Sequence, residues 1–369
     1  MRRLGSTVAR LTAMRRAGLA AMSDGAGRLS AMTGFGSNPG ALDALIYLPD
    51  NLPARAPLVV VLHGCTQNAA VYDRGSGWST LADRHGFALL FPEQRRANNH
   101  NLCFNWYATA DARRGKGEAK SIAQMIGHMI TEHDLDPAQT FVTGLSAGGA
   151  MTAVMLAAYP ELFVGGAIIA GLPFATANTL PDALERMRGS GGPSRRELGT
   201  LARAAASHDG PVPTVSVWHG TRDHIVAPAN ATAIVDQWRD LHGQGDGPGK
   251  VDRIDGHRRE TWHDGQGRAV VTRYDVDGMG HDTPLDTRGD QACGTAGPHM
   301  LEANICSTRR IAEGWGLTGT VIAKIEPEVA AAAAAEPLTR NPTMPLLPSY
   351  PTGVGAVIED ALRAAGLMR

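Results

Sequence analysis

Short apolar runs alternate with amphipathic stretches along most of this chain, from about residue 43 to residue 318. The clearest runs are short and rich in β-branched residues, which is typical of buried strands. They are residues 57–62, 140–143, 212–217 and 269–276. Between two of them, residues 118–130 place Ile and Met at helical spacing. This alternation predicts one α/β domain, with a mostly parallel central sheet flanked by helices.

Both ends of the chain depart from this alternation. Residues 1–40 contain apolar residues at helical spacing among several arginines, which predicts an N-terminal helical arm. Residues 320–369 contain an alanine run, many prolines and a final amphipathic pattern, which predict a linker followed by a C-terminal helix. The α/β domain is therefore assigned to residues 41–319, and the terminal helices are the expected contacts of a homodimer.

A serine lies at a predicted strand-to-helix turn. Residues 144–148 read Gly-Leu-Ser-Ala-Gly and follow the apolar run 140–143, and a stretch of small and apolar residues, 149–156, comes next. This is the pattern of a nucleophile elbow, in which a strained turn holds a serine clear of the sheet. Ser146 is the candidate nucleophile, at a helix N-terminus whose dipole favours developing negative charge.

A candidate acid and a candidate base follow in the order found in α/β-hydrolases. Asp223 lies in a turn after the run 212–217, and His281 lies in a loop after the run 269–276. In this interpretation His281 takes the proton of Ser146, and Asp223 orients the imidazole.

Each of these residues also has a simpler interpretation. Asp223 could be an ordinary turn aspartate, and His281 could be a loop histidine, one of 13 in the chain. Asp277 and Asp282 flank His281 and compete for the role of the acid. Their closeness to His281 in sequence ranks them below Asp223.

The run 57–62 ends in His63 and Gly64, at the place where hydrolases carry an oxyanion-hole donor. The expected donors are the backbone N–H groups of Cys65 and Ala147. His63 and Leu145 flank these donors and are predicted to contact substrate. The alternative for His63 and Gly64 is a simple strand terminator.

Trp106 is the expected wall of the substrate pocket, because it lies in a stretch too polar for a core strand. Residues 174–212 predict either a partial lid or a surface excursion. Glu118, at the start of the helix over 118–130, is interpreted as a favourable first-turn charge.

Four segments together resemble the polyhydroxybutyrate (PHB) depolymerase family of esterases. They are Leu-His-Gly-Cys-Thr-Gln at 62–67, Cys-Phe-Asn-Trp at 103–106, Gly-Leu-Ser-Ala-Gly-Gly-Ala-Met at 144–151 and Cys-Gly-Thr-Ala-Gly-Pro at 293–298. The resemblance extends over roughly residues 40–318. It implies an α/β-hydrolase fold, ester hydrolysis through an acyl-enzyme, no metal and no organic cofactor.

The resemblance also implies the substrate class. Short polyhydroxyalkanoate oligomers or 3-hydroxybutyrate-type esters are the first expectation. Feruloyl and acetylxylan esterases are related to this family and give the alternative substrates. A third hypothesis is a non-catalytic binding protein that has kept the hydrolase fold.

The charge and the cysteine content of the chain bear on its binding partners and on the compartment in which it works. The net charge of −1 does not favour binding to nucleic acid. The sequence contains no run of eighteen apolar residues, so it predicts no transmembrane segment. The four cysteines permit two disulfides in three possible connectivities. We expect the connectivity with Cys65–Cys103 and Cys293–Cys306. Paired cysteines and the resemblance favour a secreted or periplasmic protein. The alternative is a cytoplasmic enzyme with four thiols.

Overall fold

The computed structural model of the chain describes residues 27–319, except Asn51, residues 207–209 and Asp290. These residues belong to one unit. Most of the predicted N-terminal arm, all of the predicted C-terminal linker and helix, and the dimer contact expected from them lie outside the described residues. None of the helices in the described part is both long and apolar enough to span a membrane.

Ten of the described strands form one sheet in the order β1-β2-β4-β3-β5-β6-β7-β10-β9-β8. The strands from β4 to β10 in that order are parallel, and both edges are antiparallel. The strands are β1 (Ser30–Ala31), β2 (Asp43–Tyr47), β3 (Leu58–Leu62), β4 (Ala88–Glu93), β5 (Thr140–Leu145), β6 (Gly165–Ile169), β7 (Thr214–Gly220), β8 (Lys250–Ile254), β9 (His257–His263) and β10 (Ala269–Val276).

Two further strands, β11 (Thr283–Leu285) and β12 (Met300–Glu302), form a separate parallel pair. The described helices flank the large sheet. They are α1 (Ala69–Ser76), α2 (Trp78–His85), α3 (Gly117–Glu132), α4 (Ala147–Ala158), α5 (Leu180–Met187), α6 (Arg195–Ala205), α7 (Ala229–Leu241) and α8 (Ser307–Gly314), with a short 3₁₀ turn at Pro160–Leu162. The prediction of a mostly parallel sheet flanked by helices is confirmed.

The sheet is buried on both faces because successive side chains of a strand point to opposite sides. In β3, Val60 and Leu62 pack with residues of α3, α4 and α7 in one apolar cluster. Val59 and Val61 point the other way and pack with residues of α1, α2 and α8 in a second cluster. Strands buried on both faces read as continuous apolar runs, which explains why β3 stands out in the sequence.

The start of the folded unit differs from the prediction of a helical arm over residues 1–40. Ser30–Ala31 form the edge strand β1, which pairs with β2, and the N–H of Met32 donates to the carbonyl of Ala44 at 2.8 Å. A two-residue strand has no detectable hydrophobic period, so the pattern of the sequence could not reveal it. The sheet therefore begins before residue 41.

The excursion over residues 174–212 folds into α5 and α6. Leu180, Leu184 and Met187 on α5 are half-buried, and Met187 packs against the first apolar cluster. Gln237 on α7 donates to the carbonyl of Leu198 on α6 at 3.0 Å. The two helices thus pack on the domain, and their action as a lid stays a prediction.

Candidate active site

Four loops that carry candidate residues leave the same edge of the sheet. They follow β3, β5, β7 and β10, which all run parallel, so their carboxyl ends lie together. In open α/β sheets this edge is where ligands bind. The fold therefore gathers residues that are far apart in the sequence.

Ser146 lies at the sharp turn between β5 and α4. Its backbone has φ 57° and ψ −116°, a left-handed φ that non-glycine residues rarely adopt. The N–H of Ser146 donates to the carbonyl of Ile169 at 2.9 Å, which ties the turn to β6. A Cβ on Gly144 would lie 2.5 Å from Gly148, and a Cβ on Gly148 would overlap the carbonyl of Leu62. Both glycines are thus required by space at the turn.

His281 joins the serine to an aspartate. Its Nε2 lies 2.8 Å from Ser146 Oγ, and its Nδ1 lies 2.7 Å from Asp223 Oδ2. Because a carboxylate oxygen only accepts, Nδ1 carries the hydrogen and Nε2 is free to accept from the serine hydroxyl. His281 and Asp223 are buried, whereas Ser146 is partly exposed.

Asp223 is held by four donors. Its Oδ1 accepts from the backbone N–H groups of Ile225 and Val226, each at 2.9 Å, and its Oδ2 also lies 3.3 Å from His219 Nε2. Burial alone would raise the pKa of Asp223, but hydrogen bonds from His219 and His281 outweigh it and hold that pKa well below its usual range. The carboxylate is therefore ionised and oriented.

His219 was missed by sequence reasoning. It precedes Gly220 at the end of β7, as His63 precedes Gly64 after β3, and this repeated dipeptide was the available signal. Of the two competing acids, Asp277 pairs with the exposed Arg253 at 3.5 Å. The carboxylate at His281 Nδ1 is that of Asp223.

The loop after β3 is folded tightly around Cys65. The N–H of Gly64 donates to Gln67 Oε1 at 2.9 Å, and the N–H of Thr66 donates to the carbonyl of Asn101 at 2.7 Å. Among the hydrogen bonds of the described residues, none uses the N–H of Cys65 or of Ala147. Ala147 is the first residue of α4, where a backbone N–H has no partner within the helix.

Two residues predicted to contact substrate, His63 and Leu145, are buried. His63 is 1% exposed, its Nδ1 lies 2.8 Å from the carbonyl of Gly64, and its Nε2 accepts from the N–H of Gln94 at 3.1 Å. Both ring nitrogens are occupied by backbone groups, so His63 supports the loop after β3. Leu145 is also 1% exposed, and it lies beside Gly64 in the second apolar cluster. Side chains at a strand end alternate in direction, and these two point into the core.

Trp106 is largely buried as well. It belongs to the first apolar cluster, and its ring meets that of Tyr107 edge to face at 5.7 Å between centroids. Its contact with a substrate stays a prediction.

The four cysteines form the two expected disulfides, Cys65–Cys103 and Cys293–Cys306. The first joins the loop after β3 to the segment that precedes Trp106. Within the described residues, no group of three or more His, Cys, Asp or Glu side chains is arranged to hold a metal ion.

Comparisons with known proteins identify the family of the chain. The family model described as Esterase PHB depolymerase matches residues 42–263. Poly(3-hydroxyalkanoate) depolymerase C of Paucimonas lemoignei is 43% identical over 82% of this chain and 73% of its own length. A probable acetylxylan esterase A of Aspergillus clavatus is 30% identical, over 72% of this chain and 88% of its own length.

Among solved structures, an acetyl xylan esterase from Aspergillus awamori superposes with a TM-score of 0.67 at 25% identity. The match covers 79% of this chain and 100% of that one. The fold expected from the sequence is therefore confirmed. The chain belongs to the PHB depolymerase family of esterases and is a carboxylic ester hydrolase with the α/β-hydrolase fold.

Proposed function

We propose that Ser146, His281 and Asp223 form the catalytic triad of this esterase. The main support is the continuous chain of hydrogen bonds, 2.8 Å from Ser146 Oγ to His281 Nε2 and 2.7 Å from His281 Nδ1 to Asp223 Oδ2. As Ser146 Oγ attacks the ester carbonyl, its proton passes to His281 Nε2. The ionised Asp223 stabilises the imidazolium that results.

The backbone N–H groups of Cys65 and Ala147 would then receive the negative charge on the carbonyl oxygen. Neither N–H is used by another hydrogen bond of the described residues, and the Ala147 N–H lies at the positive end of α4. Collapse of the tetrahedral intermediate breaks the ester C–O bond, and His281 returns its proton to the leaving alkoxide. Water repeats the sequence on the acyl-enzyme and releases the acid.

The substrates we propose are short polyhydroxyalkanoate oligomers or 3-hydroxybutyrate-type esters. The support is the relative at 43% identity, which is named a poly(3-hydroxyalkanoate) depolymerase. Acetylated or feruloylated xylan is the second candidate. It is favoured by the solved acetyl xylan esterase, whose whole length is matched by this chain. Rates on 3-hydroxybutyrate trimer and on acetylated and feruloylated sugars, compared with one enzyme preparation, distinguish the two.

The first test is hydrolysis of p-nitrophenyl esters from butyrate to palmitate. We expect wild-type activity on the short chains, and a loss of at least about 10⁴-fold in kcat for Ser146→Ala. Ser190→Ala is the matched control, because Ser190 is exposed on the loop after α5. Equal activity of the two variants would rule out Ser146 as the nucleophile. A folded wild type without activity on any ester would favour the non-catalytic hypothesis.

We also propose that the protein works in an oxidising compartment, secreted or periplasmic, because all four cysteines are paired. Thiol titration of the unreduced, denatured protein should find no free thiol, and four thiols would contradict the proposal. A homodimer through the terminal helices is proposed as well. Sedimentation of the full chain tests it, since a mass near 38.9 kDa would indicate a monomer.

A further inference from the structure

A buried carboxylate lies behind the loop after β3. Glu118, in the first turn of α3, is 1% exposed. Its Oε1 accepts from Gln94 Nε2 at 2.6 Å and from Asn105 Nδ2 at 2.9 Å, and its Oε2 accepts from the N–H of Asn105 at 2.8 Å. The partners therefore are two residues of the long connection between β4 and α3, which is more than a first-turn charge requires.

The first route from Glu118 to the loop runs through Gln94. The side chain of Gln94 donates to Glu118 and to the carbonyl of Cys103 at 3.0 Å, while its backbone N–H donates to His63 Nε2 at 3.1 Å. His63 in turn lies 2.8 Å from the carbonyl of Gly64. This route ends at the two residues that precede Cys65.

The second route runs through Asn105. Its Oδ1 accepts from Asn99 Nδ2 at 3.0 Å, and Asn99 Oδ1 accepts from the N–H groups of Asn101 at 3.0 Å and Cys103 at 3.3 Å. The carbonyl of Asn101 receives the N–H of Thr66, and Cys103 is bonded through sulfur to Cys65. The two routes thus reach the loop on both sides of the Cys65 N–H.

We propose that Glu118 is a positioning residue, which holds the Cys65 N–H in place through Gln94 and Asn105. This rests on the proposed oxyanion role of Cys65. An oxyanion donor is effective when its direction is set before the reaction, because no free energy is then spent on reorientation. A buried carboxylate that accepts three N–H groups from two residues of this connection sets such a direction.

The replacement Glu118→Gln keeps the size of the side chain and turns one acceptor oxygen into a donor. That NH₂ group faces groups that are themselves donors, so at least one of the three hydrogen bonds is lost. Glu132→Gln is the matched control, since Glu132 is exposed at the other end of the same helix. The assay is p-nitrophenyl butyrate hydrolysis at pH 9, above the pKa of about 8 to which burial raises Glu118.

Removing an oxyanion donor costs about 10² to 10³ in kcat, so a displaced donor should cost about tenfold. We expect Glu118→Gln to lower kcat and kcat/KM together by that factor, with KM unchanged, because the interaction exists only in the transition state. Glu132→Gln should match the wild type. A Glu118→Gln enzyme with the wild-type kcat, or with a raised KM alone, would overturn the proposal.

A second variant covers the case in which Glu118→Gln does not fold. Asn105→Ala leaves α3 intact and removes one side-chain donor from a half-buried loop residue. The same loss in kcat at constant KM supports the proposal, and an unchanged kcat overturns it. If instead the folded wild type hydrolyses no ester, or Ser146→Ala is as active as the wild type, the proposed function itself fails, which is a different result.

Discussion

Two buried histidines occupy similar places at the ends of parallel strands, yet they support loops of different electrostatic character. His63 follows β3, and its two ring nitrogens meet backbone groups, the carbonyl of Gly64 and the N–H of Gln94. His219 lies near the end of β7, with its Nε2 2.8 Å from the carbonyl of Val226 and 3.3 Å from Asp223 Oδ2. The same His-Gly dipeptide thus fixes a neutral loop in one place and orients a carboxylate in the other.

In the mechanism that we propose, the two loops carry the two charges of ester hydrolysis. At the loop after β3, which we call the β3 side, negative charge would develop only in the transition state, and the loop offers N–H dipoles. On the β7 side an ionised carboxylate is present throughout, and donors surround it. Burial lowers the pKa of His63 to about 4, so its ring is neutral at the pH at which an ionised Asp223 is needed.

The largest expected effect on kcat comes from the loop after β7, which carries Asp223. Asp223→Asn should lower kcat by about 10⁴-fold, because the amide no longer selects the His281 tautomer that accepts from Ser146. Asp277→Asn is the control, since Asp277 is exposed and closer to His281 in sequence. Steady-state kinetics on p-nitrophenyl butyrate measure both variants. A comparable loss in Asp277→Asn would reassign the acid.

The next largest effect is expected from removal of each disulfide. Cys65 and Cys103 are 38 residues apart and Cys293 and Cys306 are 13 apart, so alanine at each pair should lower the free energy of unfolding by about 4 and about 3 kcal/mol. Only the first pair holds the loop of Cys65, so only its loss should also lower kcat at constant KM. Chemical denaturation and kinetics of both double variants test this. Equal kcat losses would show that the effect is one of general stability.

The smallest expected effect is a dependence of stability on pH that comes from the buried His63. The unfolded chain binds a proton at His63 below pH 6.5, whereas the folded state does so only near pH 4. The wild type therefore loses stability as the pH falls through this window, by up to about 3 kcal/mol. His63→Leu should lack that loss and His219→Leu should retain it. Denaturant unfolding at pH 7 and pH 4.5 measures the change in the free energy of unfolding between the two pH values. An equal change in the two variants would contradict the prediction.

The stability role of Asp223 lies in a different window. Its pKa in the folded state is below its ordinary value of 3.8, so its contribution is present above pH 3.8 and is lost as the pH falls further. His219→Leu removes one of the donors that lower this pKa. The variant's stability relative to the wild type should therefore change below pH 3.8, outside the range in which His63 titrates.

Some of this site could be predicted because its constraints are local in the sequence. The glycines around Ser146 are required by overlap with atoms of the turn and the adjacent strand, and the buried strands read as apolar runs. The edge strand at Ser30–Ala31 could not be found in this way, because it exists only through pairing with β2. The support role of His63 was also hidden, since nothing in a strand-end pattern states which way its ring points.

The role that we propose for Glu118 could not be predicted from the sequence either. A glutamate in the first turn of a helix is a familiar dipole charge, and the sequence contains no sign of the three N–H groups that Gln94 and Asn105 donate to it. Those contacts join residues 13 and 24 positions away, and their geometry depends on how the connection between β4 and α3 folds over the helix. A carboxylate held in this way is a product of packing.

The sequence alone therefore determined the fold class and the strained serine turn, because each follows from residue types over a short span. It also predicted the nucleophile, acid and base that we propose. The tertiary structure decided the rest. It placed Ser146 beside His281 across 135 positions and His281 beside Asp223 across 58. It also turned His63, His219 and Glu118 toward the loops that they support. These contacts form only when parallel strands bring their carboxyl ends to one edge, so their geometry is set by the packed sheet and not by neighbours in the chain.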